Sequence, residues 1–183
     1  MTRIFSTLAV LTSLLLLAAF TAGVVSWWGG AAGRGASPYL VHYALGLISS
    51  LAVLFLHCLA ITYFLGTGRW VKEVCLAYGL PDDLPRQTRD IKRGNTPYAI
   101  LAMLLTIAAA AAGQAVQFDL WPRWLHFTLA VAALAVNGWV FTIEYRNMAR
   151  NVGIIDQVMA ETERIRAEHG LPTNEEAWQR EGG

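Results

Sequence analysis

The stretch PYLVHYALGLISSLAVLFLHCLAITYFL, residues 38–65, contains no Asp, Glu, Lys or Arg and decides the fold. A hydrocarbon layer about 30 Å thick is crossed by roughly 20 apolar residues in a helix. This run is long enough, and three more charge-free runs flank it, over residues 4–33, 94–117 and 124–143. Strands would alternate apolar and polar residues with period two, which unbroken blocks such as Leu14 to Leu17 and Ala108 to Ala112 do not. Only helices or closed barrels satisfy the backbone in lipid, so the expected fold is an all-α membrane protein.

Four transmembrane helices are expected, at about residues 4–28, 38–65, 97–116 and 122–145, in an up-down bundle spanning residues 1–147. Only 15% of the 183 residues are charged, against about a quarter in soluble domains. Arg3 followed by an apolar core resembles a secretory signal, but the apolar stretch continues to Trp27 and Trp28, longer than such a segment needs. It is therefore read as a retained first helix.

Basic residues set the orientation. Twelve of the fourteen Lys and Arg lie at the amino terminus, in residues 66–96 or after residue 145; only Arg34 and Arg123 fall on the other side. The positive-inside rule then places both termini and the central segment in the cytoplasm of a bacterial-type inner membrane. Trp27, Trp28, Trp121 and Trp124 form an aromatic belt at the outer interface. A net charge of +1 gives no reason to expect nucleic-acid binding.

Residues 66–96 are expected to form a cytoplasmic loop: Gly66-Thr67-Gly68 breaks the second helix, Trp70 anchors a short interfacial helix, and Asn95-Thr96-Pro97 caps the third. Asp119 is expected to cap the fourth helix. Ile154, Ile155, Val158, Met159, Thr162 and Ile165 stripe one side of an amphipathic cytoplasmic helix within residues 148–183. It is suited to a partner protein or to the chain's own central segment. Cys58 and Cys75 are neither a CxxC pair nor placed for a disulfide, and read as small apolar fillers.

The two halves repeat weakly. Pro38-Tyr-Leu-Val-His42-Tyr and Pro122-Arg-Trp-Leu-His126-Phe each open a charge-free helix. Both helices run from outside to inside, so both histidines lie about 6 Å below their helix starts. Two imidazoles at one depth on facing helices can ligate a six-coordinate haem b. Tyr39, Tyr43, Trp124 and Phe127 would supply aromatic surface, and Gly46 and Ala130 room for the ring. Arg34 and Arg123 are the outer cations that would meet its propionates. The bland alternative makes both histidines interfacial residues bonded to water, headgroups or a backbone carbonyl.

His57 lies about 22 Å further along the second helix, near the same face. The matching position on the fourth helix is Phe141, so no second bis-histidine haem is expected. His57 is instead a candidate contact for a cofactor edge or quinone, or a partner for Thr62, Tyr63 or Asn137. Glu144, at the inner boundary, is expected to form a surface ion pair with Arg146 or the basic central segment, a role in proton uptake being the alternative. No nucleophile–base pair, Walker loop or HExxH motif supports independent catalysis.

Two functions follow as expectations. One is a small b-type cytochrome, or a haem-bearing membrane subunit of a quinone-linked electron-transfer complex. The other is a non-catalytic accessory, assembly or scaffold subunit docking a cytoplasmic partner. Other subunits or a second copy of the chain are the expected partners beside the bilayer.

Overall fold

The computed structural model describes residues 1–28, 37–173, 176, 177 and 179. Four helices account for nearly all of it: α1 (Thr2–Trp28), α2 (Ser37–Tyr78), α3 (Asp83–Gln117) and α4 (Arg123–Glu168). Each is long and apolar enough to cross a membrane. Consecutive helices pack on one another, α1 also meets α4, and α2 and α4 touch across the diagonal.

The outward face is where the apolar surface goes. Leu14, Leu47, Leu51, Phe55, Leu104 and Trp139 are all more than half exposed or close to it, while the seams between helices carry Ala9, Ala60, Ala99, Ala102, Ala109 and Ala112. Small residues let helix backbones approach closely where lipid supplies no hydrophobic drive to associate.

The helices overrun their expected ends. α2 continues straight through Gly66-Thr67-Gly68 to Tyr78, and α3 begins at Asp83, with Pro97 inside it. The central segment is thus the lower half of a helical hairpin joined by a turn at residues 79–82. Two glycines in a helix interior cost about 1 kcal/mol each, but tertiary contacts override this local preference. Thr67 sits in the seam, where its hydroxyl donates to the Tyr63 carbonyl and accepts from Asn151. Pro85 falls in the first turn of α3, where its missing N–H is not needed.

α4 likewise runs unbroken from the apolar segment into the amphipathic one. Its stripe packs on the chain's own α2–α3 hairpin: Val71, Cys75, Leu80, Leu84, Ile154 and Val158 form a second core. Arg166 ties the end down by donating to the Tyr78 hydroxyl at 3.0 Å and the Pro172 carbonyl at 2.8 Å.

Three helix ends share one device. Leu80, Leu120 and Leu171 each donate a backbone N–H five residues back, to Cys75, Ala115 and Arg166. The residue before each donor has positive φ: Gly79 at 65°, Asp119 at 57° and Gly170 at 63°. This is the Schellman closure, with proline soon after each donor. Asp119 therefore ends α3 and does not cap α4, whose first turn follows Pro122 with no side-chain cap.

Candidate functional site

Two sites emerge, one at each end of the apolar region. The first joins His42 and His126, whose ring centres lie 6.1 Å apart. Each histidine is half-buried and anchored by the helix before it. His42 Nδ1 lies 2.9 Å from the Ala19 carbonyl of α1, and His126 Nδ1 lies 3.0 Å from the Ala109 carbonyl of α3. A carbonyl can only accept, so both Nδ1 atoms carry the proton. In the neutral imidazole that leaves Nε2 as a bare lone pair, the form in which histidine binds a metal.

Four residues beyond each accepting carbonyl stands a glycine that the ring needs. A Cβ on Gly23 would lie 2.8 Å from His42 Cε1, and one on Gly113 would lie 3.0 Å from His126 Cε1. The repeat thus extends to the odd-numbered helices, as Ala19-Phe-Thr-Ala-Gly23 and Ala109-Ala-Ala-Ala-Gly113. That spacing was readable in the sequence but carries meaning only once a histidine is set against it.

Two imidazoles that would share one metal through Nε2, at ~2.0 Å per bond, would have ring centres up to ~6 Å apart. The observed separation agrees. Phe127, the residue after His126, joins Phe20, Val24, Trp27 and Trp28 in walling an apolar hollow of ≈ 420 Å³ that neither histidine lines. Phe127 meets Trp27 edge-on at 5.6 Å and Phe20 at 5.8 Å. Gly46 faces open space, with nothing within 4 Å of a Cβ built there, and Ala130 is half-buried. Tyr39 and Tyr43 stack on each other at 6.3 Å, and Tyr43 and Trp124 are exposed. Arg123 is exposed at the start of α4, and Arg34 lies outside the described residues. No cluster of three or more His, Cys, Asp or Glu forms a metal site among the described residues.

The second site is fully enclosed. His57 and Glu144 are both 0% exposed, with Nδ1 and Oε1 3.0 Å apart. His57 Nε2 lies 3.0 Å from Asn137 Oδ1, so both ring nitrogens already have side-chain partners. Asn137 Nδ2 donates onward to the Ala133 carbonyl at 2.7 Å and to Thr106 Oγ1 at 2.9 Å, and that hydroxyl donates to the Ala102 carbonyl. Phe141, at the position where a second haem would need a histidine, stacks on His57 at 5.1 Å.

Glu144 was expected at the boundary beside Arg146; it is buried instead, because the seam of α4 facing α2 includes every seventh residue. Asn137, Glu144 and Asn151 lie on it, separated by apolar Val140, Phe141 and Met148. That heptad of polar residues is the signal that could have located the site in sequence.

No known protein family, curated protein or solved structure matches this chain.

Proposed function

We propose that the chain is a multi-pass inner-membrane protein, with both termini in the cytoplasm, that carries one haem b between His42 and His126 and passes electrons. The observation that carries this reading is the opposed histidine pair, with both tautomers set by carbonyls on α1 and α3 so that Nε2 is left as the ligand. Second-partner hydrogen bonds from Nδ1 to a carbonyl are the usual way a protein orients a metal-binding imidazole. The chemistry of the pair suits the group: the bare Nε2 of His42 and of His126 would be its two ligands, their ring centres lie 6.1 Å apart, and Phe127, next to His126 in the chain, opens onto the aromatic-walled hollow.

When bound, a bis-histidine haem supplies one-electron chemistry with no open site on the iron. The chain's part is to hold both imidazoles at one depth, keep Nδ1 protonated, and shield the axis with Phe20, Trp27 and Phe127. Arg123 and Arg34 are the cations assigned to the propionates. A lipid-soluble quinone is the electron partner of matching habitat, since the pair lies near the outer interface in this orientation.

A reduced-minus-oxidised visible spectrum of the purified protein, expressed with ample haem, tests the reading. A sharp low-spin b-type α-band is expected, and His42→Ala and His126→Ala should each abolish it. Absence of the band, or its survival in either variant, overturns the proposal.

A second reading, a scaffold subunit without cofactor, is favoured by one observation. α2, α3 and α4 extend together beyond the apolar region and enclose their own core around Val71 and Val158. Such a self-contained helical extension is what a cytoplasmic partner subunit would meet.

A further inference from the structure

A cleft between α3 and α4, beyond the apolar region, holds a cation and an anion that do not meet. Gln87 and Asp90 of α3 and Arg150 and Gln157 of α4 stand round its ≈ 390 Å³, with buried Ile154 in its wall. Gly153 keeps it open, since a Cβ built there would find nothing within 4 Å. Asp90 and Arg150 are both exposed. The ion pairs among the described residues are Arg69–Glu73, Arg164–Glu161, Arg164–Glu168 and His57–Glu144, so these two opposite charges share a cleft unpaired.

The depth of the cleft is fixed by counting along α4. A hydrocarbon layer about 30 Å thick takes roughly 20 residues of helix. Counted from Trp124 in the outer aromatic belt, it ends near Glu144. Arg150 follows ~9 Å further along the axis, at the level of lipid headgroups. The Asn95–Asn147 bond at 3.2 Å sets the antiparallel register and puts Asp90 level with Val152, slightly farther out. On α3 the face of Gln87 and Asp90 continues through Gly94, also open to 4 Å, to Tyr98. Tyr98 meets Trp139 edge-on at 5.2 Å, both exposed, as interfacial aromatics are.

Helical side chains lean towards the helix N-terminus. α4 leaves the bilayer at this level and α3 returns to it, so Arg150 leans back towards hydrocarbon and Asp90 leans away. The cation therefore stands nearer the acyl chains and the anion nearer the water. A phospholipid with an amine headgroup carries the complementary order, phosphate next to the glycerol and ammonium beyond it.

We propose that this cleft seats the headgroup of an amine-bearing phospholipid, of the phosphatidylethanolamine class, with its phosphate on Arg150 and its ammonium on Asp90. The guanidinium fork matches two phosphate oxygens. A primary ammonium has three donors, enough for the Asp90 carboxylate and the carboxamide oxygens of Gln87 and Gln157. An anionic headgroup without an amine leaves Asp90 beside a phosphate with nothing to neutralise it, so Asp90 makes the cleft selective. Binding makes and breaks no covalent bond. The inference rests on the bundle spanning a bilayer and not on haem.

Native mass spectrometry of the full-length protein in detergent tests it, with dioleoyl phosphatidylethanolamine and dioleoyl phosphatidylglycerol supplied at equal concentration. One retained phosphatidylethanolamine is expected, favoured roughly fivefold over phosphatidylglycerol. Asp90→Asn should bring the two lipids near parity, and Arg150→Gln should weaken retention of both. Gly153→Leu, which fills the cleft without altering a charge and suits a helix better than glycine, should abolish the preference. Equal retention of both lipids by wild type, or a preference that survives Asp90→Asn or Gly153→Leu, overturns the proposal. So does binding of free O-phosphoethanolamine as tight as that of the lipid, which would make the occupant a soluble phosphate ester. A haem spectrum without lipid preference rejects only this inference; lipid preference without haem rejects only the electron-transfer reading.

Discussion

Oε1 of Glu144 and Nδ1 of His57 face each other at 3.0 Å, from helices diagonal in the bundle, with neither side chain reaching the surface. The bond joins α2 to α4 at the level where α1 ends its cover and the three longer helices continue. It is the one place in the core where two ionisable side chains meet among the described residues.

Removing one partner should hurt more than removing both. His57→Leu or Glu144→Leu leaves a buried group unpaired, a loss of about 3–5 kcal/mol, whereas the double Leu variant replaces the pair with apolar volume and should lose less than either. Unfolding in mixed detergent, followed by helicity, measures the three against wild type. A double variant at least as unstable as the sum of the singles would refute the coupling.

Gly23→Ala and Gly113→Ala should each push a histidine off its anchor. The added methyl would stand 2.8 Å from a His42 ring carbon at Gly23, closer than real contacts allow, and 3.0 Å from a His126 ring carbon at Gly113, tight enough that the ring must shift. Loss or weakening of the b-type spectrum is the expected result. Gly138→Ala, on α4 with nothing within 4 Å of the added methyl, should leave the spectrum unchanged.

Backbone conformation separates two other glycines. Gly79 has a φ of 65°, so Gly79→Ala should cost about 1–2 kcal/mol as the α2–α3 turn takes on left-handed strain. Gly66 is mid-helix with open space around it, so Gly66→Ala should gain up to about 1 kcal/mol. Thermal unfolding should move in opposite directions for the two.

The thiol of Cys75 should be inert at neutral pH. Burial, and then the nearby carboxylates of Asp83 and Asp82, push it above the usual thiol range. The folded chain therefore holds this proton more tightly than the unfolded chain. Its stabilising contribution is full below the unfolded thiol value of about 8.5 and is lost as pH rises through the higher folded value. Intact mass after maleimide treatment should show Cys75 unmodified at pH 7 and modified after denaturation. Asp82→Asn with Asp83→Asn should bring the alkaline reactivity to lower pH.

Much of the fold was legible because it rests on simple counts. Runs of residues without charge gave four helices, and proline four residues before histidine matched His42 with His126. The helix ends were less legible. Gly66-Thr67-Gly68 and Asn95-Thr96-Pro97 are good local stop and start signals, yet both lie inside helices, because Thr67 and Asn95 find partners on α4. Local propensity is worth about 1 kcal/mol per residue, and a buried hydrogen-bonded seam outweighs it.

Glu144 shows the same limit at the level of a single side chain. Its sequence neighbours, Tyr145 and Arg146, are exposed, and they suggested a surface ion pair. Only the rotation of α4 about its axis turns it inward. That rotation follows from packing Phe141 and Met148 against α1 and α2, which no local rule encodes.

The sequence by itself determined that four apolar helices form and that two histidines share a depth, because charge and helical rise act residue by residue. The tertiary structure alone decided which nitrogen of each histidine is free, which glycines the rings require, and that His57 meets Glu144. Those depend on which faces of different helices touch, and a face is chosen by the whole bundle together.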